Sequence, residues 1–128
     1  LEPGQLADYV AMAKEETGLP ALVEVHDDKE LDQALDAKAT IIGINNRDLD
    51  TLEVRMETTL RLRDSIPGGI LTVSESGISD REDMVLLRAG HVDAALIGEH
   101  LVTSENPVLT LNELRGTGNA DARNPRRD

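Results

Sequence analysis

Four stretches of this 128-residue chain pass from apolar to polar in the same way: Ala21-Leu22-Val23-Glu24-Val25-His26, Ile41 through Leu49, Ile70 through Gly77, and Ala94 through His100. Glu24 and Glu75 lie inside or at the end of such apolar runs, and they are the candidate acid–base carboxylates. Loss of water raises the pKa of such a group, while a cation or hydrogen bonds lower it, so either can be tuned for proton transfer. The same glutamates serve equally well as caps of neighbouring helices or as partners of Arg47. Asn45 offers a donor and an acceptor to a substrate edge. Arg47 either grips a carboxylate or phosphate with two N–H groups or pairs with Asp48. Gly77 and Gly98 follow successive strand-like stretches, and each precedes a helical one. Glycine there lets backbone N–H groups approach a phosphate beside a helix N-terminus, or it simply makes a turn. His26 and His100, taken with Glu24 or Glu99, match no metal-ligand spacing, so no metal is expected.

The elements that must carry these residues can be read in order. Pro3 fits a first helical turn; Leu6, Tyr9 or Val10, and Ala13 recur at helical spacing, and Gly18 closes a helix over Pro3–Thr17. A strand Ala21–Val25 follows, then a helix capped by Asp27 or Asp28 with Leu31, Ala34 and Leu35 inward. Thr40–Asn45 is the second strand. After the loop Asn46–Asp50, a helix through Met56, Leu60 and Leu62 ends at Pro67-Gly68-Gly69. Ile70–Ser74 is the third strand, and Ser79 with Glu82 predicts a capping box for a helix carrying Met84, Val85, Leu86 and Leu87. Val92–Ile97 is the fourth strand and Gly98 starts a short helical turn. Asn106 and Pro107 open a last helix with Leu109, Leu111 and Leu114 inward. The order is a helix followed by four parallel βα units with right-handed crossovers. Four strands do not close a barrel of eight, so an upstream half is expected to be missing. From Gly116 the periodicity stops, which divides the chain into a folded unit over 1–115 and a disordered tail over 116–128.

Composition narrows the function further. With 25 acidic and 13 basic residues the net charge is −12, a surface that repels nucleic acid and anionic membranes. Only three lysines and a single aromatic residue, Tyr9, accompany this acidity, a pattern that fits a salt-adapted surface. In molar salt the Debye length falls to ~3 Å, and the self-repulsion of such a surface is screened. There is no cysteine, hence neither a disulfide framework nor a thiolate metal site. No apolar run reaches the ~20 residues of a membrane span, and no secretory leader is recognisable. A cytoplasmic location is expected.

At these same residues the chain resembles a known family. Leu22 to His26, Ile41 to Leu49, Val73 to Ile78 and Asp93 to Glu99 resemble, in order, segments of indole-3-glycerol-phosphate synthase, with similarity from about Leu1 to Leu114. The pair Gly-Ile-Asn-Asn-Arg-Asp-Leu and Ser-Glu-Ser-Gly-Ile carries most of it. The resemblance implies the C-terminal half of a TIM (β/α)8 barrel, from its fourth helix to its eighth. It also implies a cofactor-free carboxy-lyase of tryptophan biosynthesis, which closes 1-(2-carboxyphenylamino)-1-deoxyribulose 5-phosphate to indole-3-glycerol phosphate with loss of CO2 and water. On that resemblance Glu24 is the general base of dehydration, Asn45 lies beside the anthranilate-derived ring, and Arg47 binds an anionic part of the substrate. Glu75 and Ser76 form the polar pair after the seventh strand. Gly77, Gly98 and Glu99 bind phosphate through backbone N–H groups, so the Glu99 side chain is free to point away. The family's early-strand lysines have no counterpart, because Lys14, Lys29 and Lys38 fall on or near helices. Little turnover is therefore expected of the chain alone. The expected partners are a small sugar phosphate and either the absent half-barrel or a second copy. The competing readings are another phosphate-binding barrel enzyme and a non-catalytic half-barrel.

Overall fold

The computed structural model describes residues 3–116. Helix α1 (Pro3–Thr17) ends where Gly18 turns left-handed at φ 70°, its N–H donating to the Lys14 carbonyl. Leu6 and Val10 form its inward stripe, while Tyr9 is exposed. Four βα units follow: β1 (Leu22–Val25) and α2 (Asp28–Asp36), β2 (Ile41–Asn45) and α3 (Glu57–Arg63), β3 (Leu71–Glu75) and α4 (Arg81–Ala89), then β4 (Ala94–Leu96) with α5 (Glu99–Val102) and α6 (Pro107–Arg115). The strands pair in parallel in chain order, β1-β2-β3-β4. This is a four-unit segment of a (β/α)8 barrel.

Several boundaries depart from the sequence reading, each for a local reason. The fourth strand is shorter than Val92–Ile97: the Asp93 N–H donates to the Thr72 carbonyl, while the returning Thr72 N–H goes to the Asp93 carboxylate at 2.8 Å and not to a backbone carbonyl. The capping box belongs to Asp80 and Asp83, one residue beyond Ser79 and Glu82. The Asp80 carboxylate accepts from Asp83 N–H, and the Asp83 carboxylate accepts from the N–H groups of both Ser79 and Asp80. Val85 and Leu86 are exposed on α4, where Leu87 is the buried residue. On α6 only Leu114 is buried, while Leu109 and Leu111 face outward. Asn106 caps that helix as expected, with Pro107 behind it. Gly116 is its left-handed C-cap, and the remainder of the tail expected over 116–128 lies outside the described residues.

Alternation along the strands gives the sheet two different faces. Val23, Val25, Ile42 and Ile44 turn toward the helices and are buried with Leu31, Ala34 and Leu62. A second cluster gathers Ile78, Leu87 and Leu114, with Ala95, Ile97 and Leu101 packed against it. The opposite face, which lines the interior of a closed barrel, is bare here. Leu22, Leu71 and Leu96 on it are 43%, 53% and 57% exposed. Parallel sheets in stable folds are covered on both faces, so this one is half-dressed.

The two faces should respond differently to truncation. Ile44→Ala, on the covered side, is expected to cost about 2–5 kcal/mol in urea denaturation. Leu71→Ala, on the bare side, should cost less than about 1 kcal/mol.

Candidate active site

The register of the strands builds the site. Glu24, Gly43, Val73 and Ala94 lie side by side in one row across the sheet, and Asn45, Glu75 and Leu96 lie in the next inward-facing row. Residues two apart share a face. Glu24, Asn45 and Glu75 therefore project together from the bare inner face, at the carboxyl ends of their strands. Asn45 Nδ2 donates to Glu24 Oε1 at 3.2 Å, and its own Oδ1 accepts the Arg47 N–H. Neither glutamate caps a helix.

Glu75 is 6% exposed, and its Oε1 has no hydrogen-bond partner. Its carboxyl lies flat over Gly43, where a methyl group would stand 2.1 Å from Oε1. The glycine is thus required for space and not for its backbone angles. Burial pushes the Glu75 carboxyl above its ordinary value, the adjacent Glu24 charge and a hydrogen bond to it raise it further, and His26 partly opposes them. A buried carboxyl beside an exposed carboxylate is an arrangement in which the buried member holds a proton more readily.

Beside this row lies a cavity of about 460 Å³ lined by Arg47, Ser76, Gly77, Gly98, Glu99 and His100, among others. Ser76 and Gly77 are both left-handed, at φ 67° and 75°. A non-glycine residue in that region carries strain of ~1–3 kcal/mol, which persists only when neighbours enforce it. Gly77 is also closely covered: a methyl group on it would meet Val54 at 2.2 Å. Val54 arrives on a hairpin over residues 47–54, joined by the antiparallel bridge Arg47–Val54 and by Asp48 N–H donating to the Glu53 carbonyl. The Asp48 carboxylate takes the Thr51 and Asp50 N–H groups, which holds it below its usual range. The loop after β2 is consequently longer than the expected Asn46–Asp50. Arg47 pairs with none of Asp48, Glu24 and Glu75. It reaches Glu99 at 3.0 Å instead, so the Glu99 side chain spans the cavity mouth and does not point away. His26 lines a second cavity with Asp27 and Glu30, whereas His100 lines the first. Among the described residues no group of three or more His, Asp or Glu side chains is placed to hold a metal ion.

The residue that sequence reasoning passed over is Asn46. It is 2% exposed, and its side chain makes a full set of bonds. Oδ1 accepts the Thr59 N–H and hydroxyl at 3.1 and 2.8 Å; Nδ2 donates to Ser74 Oγ at 3.1 Å and to the Ser76 carbonyl at 3.0 Å. Its backbone N–H donates to the Glu75 carbonyl and its carbonyl accepts from Arg55 N–H. One amide thus ties the ends of β2 and β3, the first turn of α3 and the strained Ser76 peptide. The only signal for it in the sequence is a second asparagine beside the first, with polar Thr59 at a helix position that would otherwise be apolar.

Fold and strand-end side chains define part of an α/β barrel with a pair of carboxylates at the strand ends. Comparison with known proteins narrows this. The family model for indole-3-glycerol phosphate synthase matches residues 1–114. The synthase of Salinibacter ruber is 46% identical over 118 residues, covering 92% of this chain and 43% of the relative. That of Chlorobium phaeobacteroides is 53% identical over 106 residues, covering 83% and 41%. The chain belongs to the indole-3-glycerol phosphate synthase family and spans about two fifths of the length of these relatives. A chain in the crystal structure of the Amycolatopsis orientalis BexX/CysO complex superimposes with a TM-score of 0.66 over 90% of this chain and 47% of that one. At 18% identity, that likeness is one of fold.

Two measurements check the site. Asn46→Ala takes the partner from the buried Thr59 N–H and from the Ser76 carbonyl, and leaves the Thr59 and Ser74 hydroxyls only each other, so urea denaturation should show a loss of about 3 kcal/mol. Asn45→Ala, half-buried, should lose less than half of that. For Glu75 the sign follows from its raised pKa. The folded chain keeps a proton there that the unfolded chain has released, so stability is greatest below about 4.5 and falls as pH rises through the raised value. Glu75→Gln should therefore raise the melting temperature at pH 7, with the gain gone at pH 4; a gain that is equal at both pH values would show that the charge is not the cause.

Proposed function

We propose that this chain supplies the half of an indole-3-glycerol-phosphate synthase active site that holds the base and the phosphate. The reaction is ring closure of 1-(2-carboxyphenylamino)-1-deoxyribulose 5-phosphate, with loss of CO2 and water. The observation that carries this reading is the convergence of Glu24, Asn45 and Glu75 on one face, next to the cavity rimmed by Arg47, Ser76, Gly77 and Gly98. Glu24 serves as general base in the dehydration and Asn45 steers its carboxylate while facing the aromatic ring. Glu75, kept protonated more readily by burial, lies beside it and shares with Ser76 the polar contacts to the substrate. Arg47 exchanges its Glu99 partner for an anionic group of the substrate, an exchange favoured because the Glu99 carboxylate is 79% exposed and regains water when released. Phosphate binds at the backbone N–H groups of Gly77, Gly98 and Glu99. No cofactor is called for.

The bare inner face supports a further element of this reading: the site is completed by a complementary half-barrel, which brings the general acid and covers Leu22, Leu71 and Leu96. Self-association is the lesser alternative for the same face. No helix among the described residues is long and apolar enough to cross a membrane, in keeping with the cytoplasmic location we infer.

The test is synthase turnover followed by indole fluorescence in high salt, for the chain alone and after co-refolding with the first half of a relative's barrel. Turnover is expected only in the mixture, and Glu24→Gln in that mixture should lower kcat by ~10²–10⁴. Silence of a mixture in which both halves are folded would overturn the reading.

A further inference from the structure

His26 has no part in the chemistry above, yet its ring is held from two sides. Glu30, three residues into the cap of α2, takes both the His26 backbone N–H at 2.7 Å and ring Nδ1 at 2.9 Å on the same oxygen, Oε2. The clamp is itself fixed, because the Asp27 carboxylate caps the helix by accepting the Glu30 N–H at 2.8 Å. A carboxylate only accepts, so Nδ1 carries the ring proton that faces Glu30. That leaves Nε2 pointing the other way, inaccessible to water and without a hydrogen bond. It stands 3.2 Å from Oε1 of Glu24, the same oxygen that Asn45 holds. With the ring neutral and its proton on Nδ1, two acceptors face each other across that gap, with room between them for one proton. A buried polar atom left without a bond is costly and calls for a reason.

We propose that His26 is the proton partner of Glu24: a positioning residue, oriented by Glu30, whose Nε2 receives the proton that Glu24 removes from the substrate. The step balances simply. The substrate's bond to hydrogen breaks and its electron pair stays with the substrate, while an O–H bond forms on Glu24. That O–H then breaks as an N–H forms at Nε2, giving the imidazolium; the Nδ1–H bond breaks as its proton passes to Glu30 Oε2, which lines the second cavity and yields it to water, and the ring then returns to its Nδ1–H tautomer by exchange with water. Glu24 is thereby returned to its carboxylate. The ionisable groups facing the ring are Glu24 from β1, Asp27 and Glu30 from the start of α2, Glu75 from β3, and across the second cavity Arg47, Asp48, Asp50, Glu53 and Arg55. The role in turnover rests on the function proposed above; the proton partnership is a property of this chain alone.

The experiment separates the two. In the isolated chain, nitrogen-15 NMR of the rings reports the tautomer, with His91 and His100 as internal references, and the Glu24 carboxyl carbon reports its own protonation. We expect the His26 proton on Nδ1, and the ring and the Glu24 carboxyl to move together in at least one pH step. Histidine 26 is replaced by Asn, which retains a donor near the Nδ1 position and deletes Nε2. His26→Asn should keep the amide spectrum of the fold and remove the shared step. Gln, which reaches toward Glu24 but takes up no proton there, should do the same. A proton on Nε2 in the neutral ring, or a Glu24 curve unchanged in His26→Asn, would overturn the proposal. In the co-refolded mixture His26→Asn should lower kcat roughly tenfold, below the full worth of a general base, with KM little changed and the pH profile displaced. An unchanged pH profile there would overturn the role in turnover, and a silent mixture with the shared NMR step intact would place the failure in the proposed function and leave the partnership standing.

Discussion

Everything at the carboxyl end of this sheet hangs on the Asn46 side chain. A parallel sheet ends in carbonyl and N–H groups that have lost their ladder partners, and a site built there needs those groups tied without using the residues that do chemistry. Asn46 meets that need with one amide, bonding to a helix start, a strand hydroxyl and a loop carbonyl at once. Its bond to the Ser76 carbonyl enforces a left-handed Ser76 that would otherwise relax, and so fixes the bend that carries the chain past Glu75 to Gly77. Asn45, next in the chain but pointing to the opposite face, is thereby released to engage Glu24. Adjacent identical residues are divided by the pleat into scaffold and chemistry.

The inner face follows a related logic of vacancy. Gly43 has no side chain so that Glu75 can lie across it, and neighbouring small residues such as Ala94 keep the row shallow. Burial of Glu75 without a partner for Oε1 costs the fold stability and gives the site a carboxyl with an altered affinity for protons. The outer face is mostly apolar, with Val23, Val25, Ile42 and Ile44 buried beneath the helices, and its β3 positions are the buried Thr72, whose Oγ1 also lacks a partner, and Ser74.

Much of this was legible from residue order. Apolar runs that end in polar groups located all four strands, and the spacing of Leu6, Val10, Leu31 and Ala34 gave the helix faces. Glu24, Asn45 and Glu75 could be named because an ionisable or amide group at the end of an apolar run is conspicuous. What the order of residues does not contain is partner choice. Arg47 has Asp48 beside it in the chain and Glu99 beside it in space, and the nearer residue in sequence is occupied in capping its own turn. Asp80 and Ser79 offer the same cap at the same spacing, and the entry angle of the chain decides between them. Leu109 and Leu111 are exposed where Leu114 is buried because α6 carries leucines on more than one side, and periodicity alone does not say which side is covered.

The order of strands in the sheet is the order in which they occur along the chain. Each strand therefore meets its partner after a loop of only about twenty to thirty residues, so the entropy of closing each loop is small and similar throughout. On a growing nascent chain, such a sheet extends one unit at a time, and no strand waits for a distant partner before its backbone bonds form. The naked inner face is then the last surface to be covered, which leaves this architecture exposed to wrong partners until it closes.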